Sequence, residues 1–137
     1  MALRRDVRQF LSEPRFAVLA TIAADGMPHQ TVVWYELRDD EIIMNTAAGR
    51  VKEKHLRRDP RVSICIEDAY RAITIRGAVT LVDDQTIAQA DIHALAVRYN
   101  GPEKAEQQMR GQFSKQHRVT IRLPMSRVLL YGFGEDA

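Results

Sequence analysis

Six basic side chains crowd one sixteen-residue stretch, TAAGRVKEKHLRRDPR (46–61): Arg50, Lys52, Lys54, Arg57, Arg58 and Arg61. Glu53 and Asp59 are its acids, so the stretch carries +4 in a chain whose formal net charge is +2. The spacing predicts a short helix over 50–58, closed at Asp59-Pro60 because the residue before a proline disfavours the helical region. Ala47-Ala48-Gly49 lead into it, small enough to let a ligand approach the backbone. Arg50 and Lys52 then fall in the first turn, where the helix dipole disfavours cations. One reading is a solvated face, with Glu53 and Arg57 paired at i,i+4 and Lys54 and Arg58 in water. The other is an anion site, in which free backbone N–H groups, Arg50 and Lys52 together hold a phosphate.

Other chemistries find no footing. His29, His55, His93 and His117 stand apart, without HExxH or a paired Cys/His spacing, so a metal site is not expected. Cys65, the one cysteine, sits in the apolar SICI and reads as a buried, inert thiol; it excludes an internal disulfide framework and suits a reducing cytoplasm. No GxSxG marks a hydrolase nucleophile. The terminal GFGEDA imitates a phosphate loop, but no helix follows it and it reads as a tail. A nucleic-acid partner is not expected: the pI near 8.9 is mild, and no aromatic residue interleaves with the basic run. No segment approaches the roughly 20 apolar residues of a membrane span. The start, MALRRDVRQFLSEPRF, is too charged for a signal peptide.

The elements that must position the basic helix are mostly strands. At 137 residues, 45% hydrophobic and 28% charged, the chain reads as one globular domain, 1–137. Leu3, Val7, Phe10 and Leu11 predict an N-terminal helix ended by Pro14. FAVLATIA (16–23), the turn ADGMP and PHQTVVWYEL (28–37) read as a hairpin, and EIIMNT (41–46) as a third strand. RVSICIE (61–67) is the fourth. In RAITIRGAVTLV (71–82) Ile73, Ile75, Val79 and Leu81 alternate with Arg76, Ala78 and Thr80, predicting one continuous strand. Asp83-Asp84 caps a helix striped by Ala88, Ile92, Leu95 and Tyr99, and a more polar helical piece follows Asn100-Gly101-Pro102. HRVTIRL (117–123) and SRVLLYGF (126–133) close the chain. Consecutive hairpins with few crossovers indicate a mainly β fold, a small barrel of about six to seven antiparallel strands with peripheral helices.

From Phe16 to Gly132 these pieces resemble the pyridoxamine 5'-phosphate oxidase-like split β-barrel family, and within it the group that uses the deazaflavin coenzyme F420. The small-residue turn into R-x-K-x-x-x-L-x-x-D-P-R is the most specific match. The resemblance implies a homodimer with two cofactors at its interface, each held by both subunits, and an oxidoreductase acting on a small organic substrate. Lys52 falls at the family's phosphate-binding lysine, with Arg50 in the same cluster. Met44, Asn45 and Thr46 match the stretch whose backbone lines the isoalloxazine-type ring, and Thr31, Val32, Val33 and Trp34 match the strand beneath that ring. Val32, Val33 and Trp34 read equally as plain barrel wall. The flavin-using oxidases usually carry a serine directly before an Arg-Lys pair, whereas this chain has Gly49-Arg50-Val51-Lys52; that departure favours F420 over FMN. A polyglutamate tail would also match the extra cations Lys54, Arg57 and Arg58, and Arg76 and Arg122, on the non-core faces of their strands, are further candidates to reach it. The oxidases' C-terminal Arg-x-His is missing from RLPMSRVLLYG, which argues against pyridoxal phosphate synthesis. The alternatives are an FMN-dependent reductase or oxidase of the same fold, and a protein that carries a flavin, deazaflavin or haem without turnover.

Overall fold

A computed structural model describes residues 3–134; the first two residues of the N-terminal stretch and the last three of GFGEDA lie outside the described residues. The order is α1 (Arg5–Ser12), β1 (Ala17–Ile22), β2 (Pro28–Val33), β3 (Glu36–Arg38), β4 (Glu41–Ala47), α2 (Val51–Arg58), β5 (Arg61–Glu67), β6 (Ala72–Ala78), β7 (Thr80–Val82), α3 (Gln85–Asn100), α4 (Pro102–Gly111), a 3-10 turn (Phe113–Lys115), β8 (Arg118–Pro124) and β9 (Arg127–Tyr131). The strands form two sheets, β2-β1-β5-β6-β9 and β3-β4-β8-β7, and every pairing is antiparallel.

Nine strands appear where the pattern predicts about seven, and both extra strands have one cause. The expected strand 28–37 leaves the first sheet at Trp34-Tyr35 and resumes as β3 in the second. The expected strand 71–82 does the same at Val79, whose N–H is drawn to Pro60 O at 2.9 Å. The apolar alternation runs unbroken through each crossing, because both halves face the same interior. Ile73, Ile75 and Val79 are all buried there.

That interior is filled from both sheets by Leu19, Ile42, Met44, Ile64, Ile66, Ile121 and Leu123, with Leu56 of α2 packed against them. Phe10 and Leu11 of α1 close one end. Arg98, near the end of α3, donates to the carbonyls of Leu11, Ser12, Glu13 and Tyr35 at 2.9–3.3 Å. One guanidinium thus satisfies the Leu11 and Ser12 carbonyls that end α1. As expected, Asp84 caps α3, accepting from Thr86 N and Ile87 N. Asp83 does not cap: it turns back to Arg57.

α3 and the following turn cover the outer face of the four-stranded sheet, which explains why β8 is buried on both sides from Arg118 to Ile121. The outer face of the five-stranded sheet is left open. Val32, Val18, Cys65, Thr74 and Leu129 stand across it in register, with Val32 66% and Leu129 46% exposed. Cys65 belongs to this outer row and is half-buried, which corrects the reading of a core thiol. Among the described residues no helix is long and apolar enough to cross a membrane.

Gly132 closes the last strand with φ +80°, and a Cβ there would lie 2.2 Å from Tyr70 O. The Gly132→Ala variant must move backbone at two places, so it should lower the thermal midpoint clearly. Gly111→Ala, where an added Cβ meets nothing within 4 Å, is the control: it should leave the midpoint unchanged or raised in differential scanning calorimetry.

Candidate functional site

Where β2 leaves its sheet, a cavity of about 320 Å³ opens between β4, α2, α3 and the Phe113 turn. The end of β2 supplies Val32 and Val33, and Trp34 follows; β4 supplies Asn45 and the approach to α2 supplies Arg50 and Lys52. Six of the nine site residues expected from sequence therefore surround one space. The remaining three belong to the same strands but turn away. Met44 and Thr46 point into the barrel interior, and Met44 is completely buried there. The Thr31 and Thr46 hydroxyls are buried without a hydrogen-bond partner.

α2 is short, and Arg50 is its N-cap residue with an extended backbone, not a residue of the first turn. It caps with no side-chain hydrogen bond. Instead Glu53 reaches back one residue beyond the N-cap to accept from Gly49 N at 2.8 Å. That bond and Arg57 hold the Glu53 carboxyl below its usual range. Arg57 is fully engaged, by Glu53 at 2.7 Å and by both oxygens of Asp83 at 2.6 and 2.9 Å. Arg58, at the other end, donates to Ile22 O. Two of the three extra cations expected to serve a long anionic tail are thus committed elsewhere, and Lys54 remains. Arg122 pairs with Glu41, and Arg76 lies on the open face of the five-stranded sheet, away from this cavity.

A third cation takes their place. Arg118, first residue of β8, is only 3% exposed. Nε donates to Asn45 Oδ1 at 2.9 Å and Nη1 to Gln116 Oε1 at 2.6 Å, with the guanidinium 4.9 Å over the Phe113 ring. Behind Asn45 a buried chain fixes its orientation: Asn45 Nδ2 donates to Ala88 O at 3.0 Å and to Thr120 Oγ1 at 3.3 Å. Thr120 Oγ1 donates in turn to Asp91 at 2.7 Å, and Asp91 pairs with Arg38 at 2.9 Å. The amide can therefore present its oxygen to Arg118 in one way only.

Among the described residues no carboxylate pairs with Arg50, Lys52 or Arg118. The consequence is electrostatic. Burial, then Arg50, pushes the Arg118 guanidinium down to about 10. Burial, then Arg50 and Arg118, lowers the Lys52 ammonium. Three cations face one cavity, and each would be relieved by an anion within it. The opposite wall is aromatic: Trp34 stacks on Tyr99 at 5.3 Å and 10° and meets the edge of Phe113 at 6.5 Å. Ile92 and Leu95 of α3 complete it. No histidine, cysteine or carboxylate is among the lining residues, so the wall offers an anion site and an apolar, aromatic surface but no general acid–base pair.

Sequence reasoning missed Arg118. Its strand parity matches Thr120 and Arg122, a face read as non-core, and only the packing of α3 across that face buries it. His29 and His55, read as isolated, come together with ring centroids 5.3 Å apart, and His55 Nδ1 meets Thr21 Oγ1 at 2.9 Å. Among the described residues no group of three or more metal-ligating side chains forms.

The fold has known relatives. The family model of pyridoxamine 5'-phosphate oxidase matches residues 3–127. The chain belongs to that family, and its two antiparallel sheets with peripheral helices are the split-barrel fold. A conserved hypothetical protein of Mycobacterium tuberculosis superposes with a TM-score of 0.80 at 28% identity, covering 100% of this chain and 92% of that one. An F420 reductase superposes with a TM-score of 0.74 at 24% identity over 93% and 98% of the two chains. HutZ, the haem storage protein of Vibrio cholerae, does so at 0.73 and 21% over 98% of each. The last two likenesses show the fold.

A buried hydroxyl without a partner costs about 1–3 kcal/mol, and an isosteric methyl removes that cost. Thr46→Val should therefore raise the thermal midpoint of the ligand-free protein. A lowered midpoint would mean that the hydroxyl has a partner.

Proposed function

We propose that this protein is an oxidoreductase that binds the deazaflavin F420, transferring a hydride to or from a small organic substrate. The observation that carries the reading is the uncompensated group Arg50, Lys52 and Arg118 beside an aromatic and aliphatic wall. Such a set fits a ligand with a phosphate at one end and a planar ring at the other. When bound, the cofactor supplies the hydride chemistry, which is consistent with a wall that holds no acid–base pair. The chain's own residues bind, orient and exclude water. Lys52 and Arg118 hold the phosphate, Asn45 keeps Arg118 in place, and Val32, Val33 and Trp34 present the surface on which a ring lies. The F420 reductase among the structural neighbours supports the reading, as does the Gly49-Arg50-Val51-Lys52 sequence where flavin oxidases usually carry serine.

FMN is the second reading, and one observation favours it: Arg57 and Arg58 are engaged within the chain, leaving Lys54 as the cation of α2 that remains for an acidic tail. The two cofactors separate on charge. F420 carries glutamate carboxylates beyond its phosphodiester, and these should lie within about 8 Å of Lys54 or Arg118, one Debye length at physiological salt. Calorimetry should therefore show tighter binding of F420 than of FMN, with the preference shrinking as salt rises. Lys52→Ala should weaken either ligand by about 1.5–3 kcal/mol, the range of a charge-assisted hydrogen bond. Equal or stronger FMN affinity at every salt concentration would make this a flavin protein, and an unchanged Lys52→Ala affinity would remove that residue from the site. The third reading, a carrier of flavin, deazaflavin or haem without turnover, predicts binding with no oxidation or reduction of any added substrate.

We further propose a homodimer. A cavity of about 320 Å³ is at the small end of ligand sites, about 300–1,000 Å³, so a cofactor would protrude. Val32 lines the cavity and also begins the apolar row Val32, Val18, Cys65, Thr74 and Leu129. A second copy seated on that row would cover it and close the cavity's open side. Sedimentation at micromolar concentration should give about twice the chain mass of 15.6 kDa. A monomer that still binds cofactor tightly would count against a shared site.

A further inference from the structure

Strand register orders the open face of the five-stranded sheet residue by residue. Its middle row is Val32, Val18, Cys65, Thr74 and Leu129. Two residues along each strand to one side lies the row Gln30, Ala20, Ser63, Arg76 and Arg127. Two residues to the other side Glu67, Ala72 and Tyr131 stand in line, with Phe16 beside them just ahead of β1. The two outer rows differ in charge. Arg76 and Arg127 are directly opposite each other on β6 and β9, where like charges repel. Among the described residues neither has a carboxylate partner, and Glu67 in the far row has no cationic one. The row of Glu67 is also the aromatic one, with Tyr131 72% and Phe16 60% exposed.

A second copy can be laid on this face about either of two axes in the plane between the sheets. An axis along the strands, over β5, would set Glu67 against the partner's Glu67 and Arg61 against the partner's Arg61. It would also leave Arg76 and Arg127 at the end where their own copies lie, with Asp25 out in the turn beyond Pro28. An axis along the middle row instead exchanges the outer rows. Arg76 then lies over the partner's Ala72, one strand spacing of about 4.8 Å from the partner's Glu67, and Arg127 lies over the partner's Tyr131. We propose that the homodimer forms about this second axis, so that Arg76 and Arg127 of each copy meet Glu67 and Tyr131 of the partner subunit. The inference rests on the homodimer proposed above and adds its orientation. The same rotation carries the partner's Gln30 over Trp34, so the edge strand of one copy completes the rim of the other's cationic cavity.

Crosslinking and charge exchange in the full chain test the orientation. On a Cys65→Ser background, Val32→Cys and Leu129→Cys each place one cysteine on the middle row. Facing sheets stand about 10 Å apart, a gap that a short bis-maleimide spans. About the proposed axis each of these positions faces its own copy, so either variant alone should give a covalent dimer. If neither crosslinks alone but the two co-expressed variants crosslink with each other, the axis runs along the strands and the proposal is overturned. Glu67→Arg and Arg76→Glu should each raise the dimer dissociation constant about tenfold or more in sedimentation, and the Glu67→Arg/Arg76→Glu double variant should restore it. A double variant as weak as the singles overturns the pairing. A wild-type dimer that the reagent fails to link in any combination uses another face, whereas a monomeric wild type removes the homodimer and its orientation together.

Discussion

Three cations without a counter-charge set the terms for the rest of this structure. Arg50, Lys52 and Arg118 approach one cavity from α2 and from β8, elements far apart in sequence; burial lowers the proton affinity of Lys52 and of Arg118, and the neighbouring Arg50 lowers both further. Among the described residues no carboxylate offsets that arrangement. It persists because other interactions over-determine it. The Glu53 carboxylate ties Gly49 to Arg57, Arg57 ties α2 to Asp83 ahead of α3, and Leu56 anchors the helix in the core. On the other side Asp91, Thr120 and Asn45 hand a fixed geometry to Arg118. Two acidic residues that might have neutralised the cations are spent on holding their supports.

The use of Asp91 is instructive. Placed beside Arg118, its carboxylate would form a buried ion pair, satisfied and closed to ligand. Three hydrogen bonds away, it orders the guanidinium without cancelling its charge. A buried network of this kind has value only when every member is satisfied, and here Asn45, Thr120 and Asp91 each find partners. The orphans are the Thr31 and Thr46 hydroxyls, both on strands whose neighbouring residue lines the cavity.

Most of the barrel was legible because its signal is local. Alternation in β5 and β6 dictates which residues are buried, and Asp84 capping or termination of α2 before Pro60 follows from a few adjacent residues. The crossings at Trp34-Tyr35 and Val79 were not legible, since a strand that passes from one sheet to the other keeps its apolar period throughout. The site divides along the same line. Arg50 and Lys52 are neighbours in sequence, and the cost of placing them at a helix start can be read there. Arg118 acquires its role only when α3 covers β8, and its contact with Asn45 joins residues 73 apart. The committed state of Arg57 was half visible, as the i,i+4 pair with Glu53; the decisive partner, Asp83, comes from another element.

The edge strand β2 links these observations. Its last residues wall the cationic cavity, and its exposed Val32 starts the apolar row that crosses the whole sheet. An edge strand left open is a liability that proteins usually blunt with charge or cover. β2 does neither: Gln30, Val32 and Pro28 are exposed and uncharged. A strand with that composition is suited to be covered by something, and one cover lying over Val32 would meet the rim of the cationic cavity at once. In the proposed dimer, occupancy of the cavity and coverage of the sheet share a boundary, and any coupling between them acts equally in both directions by linkage.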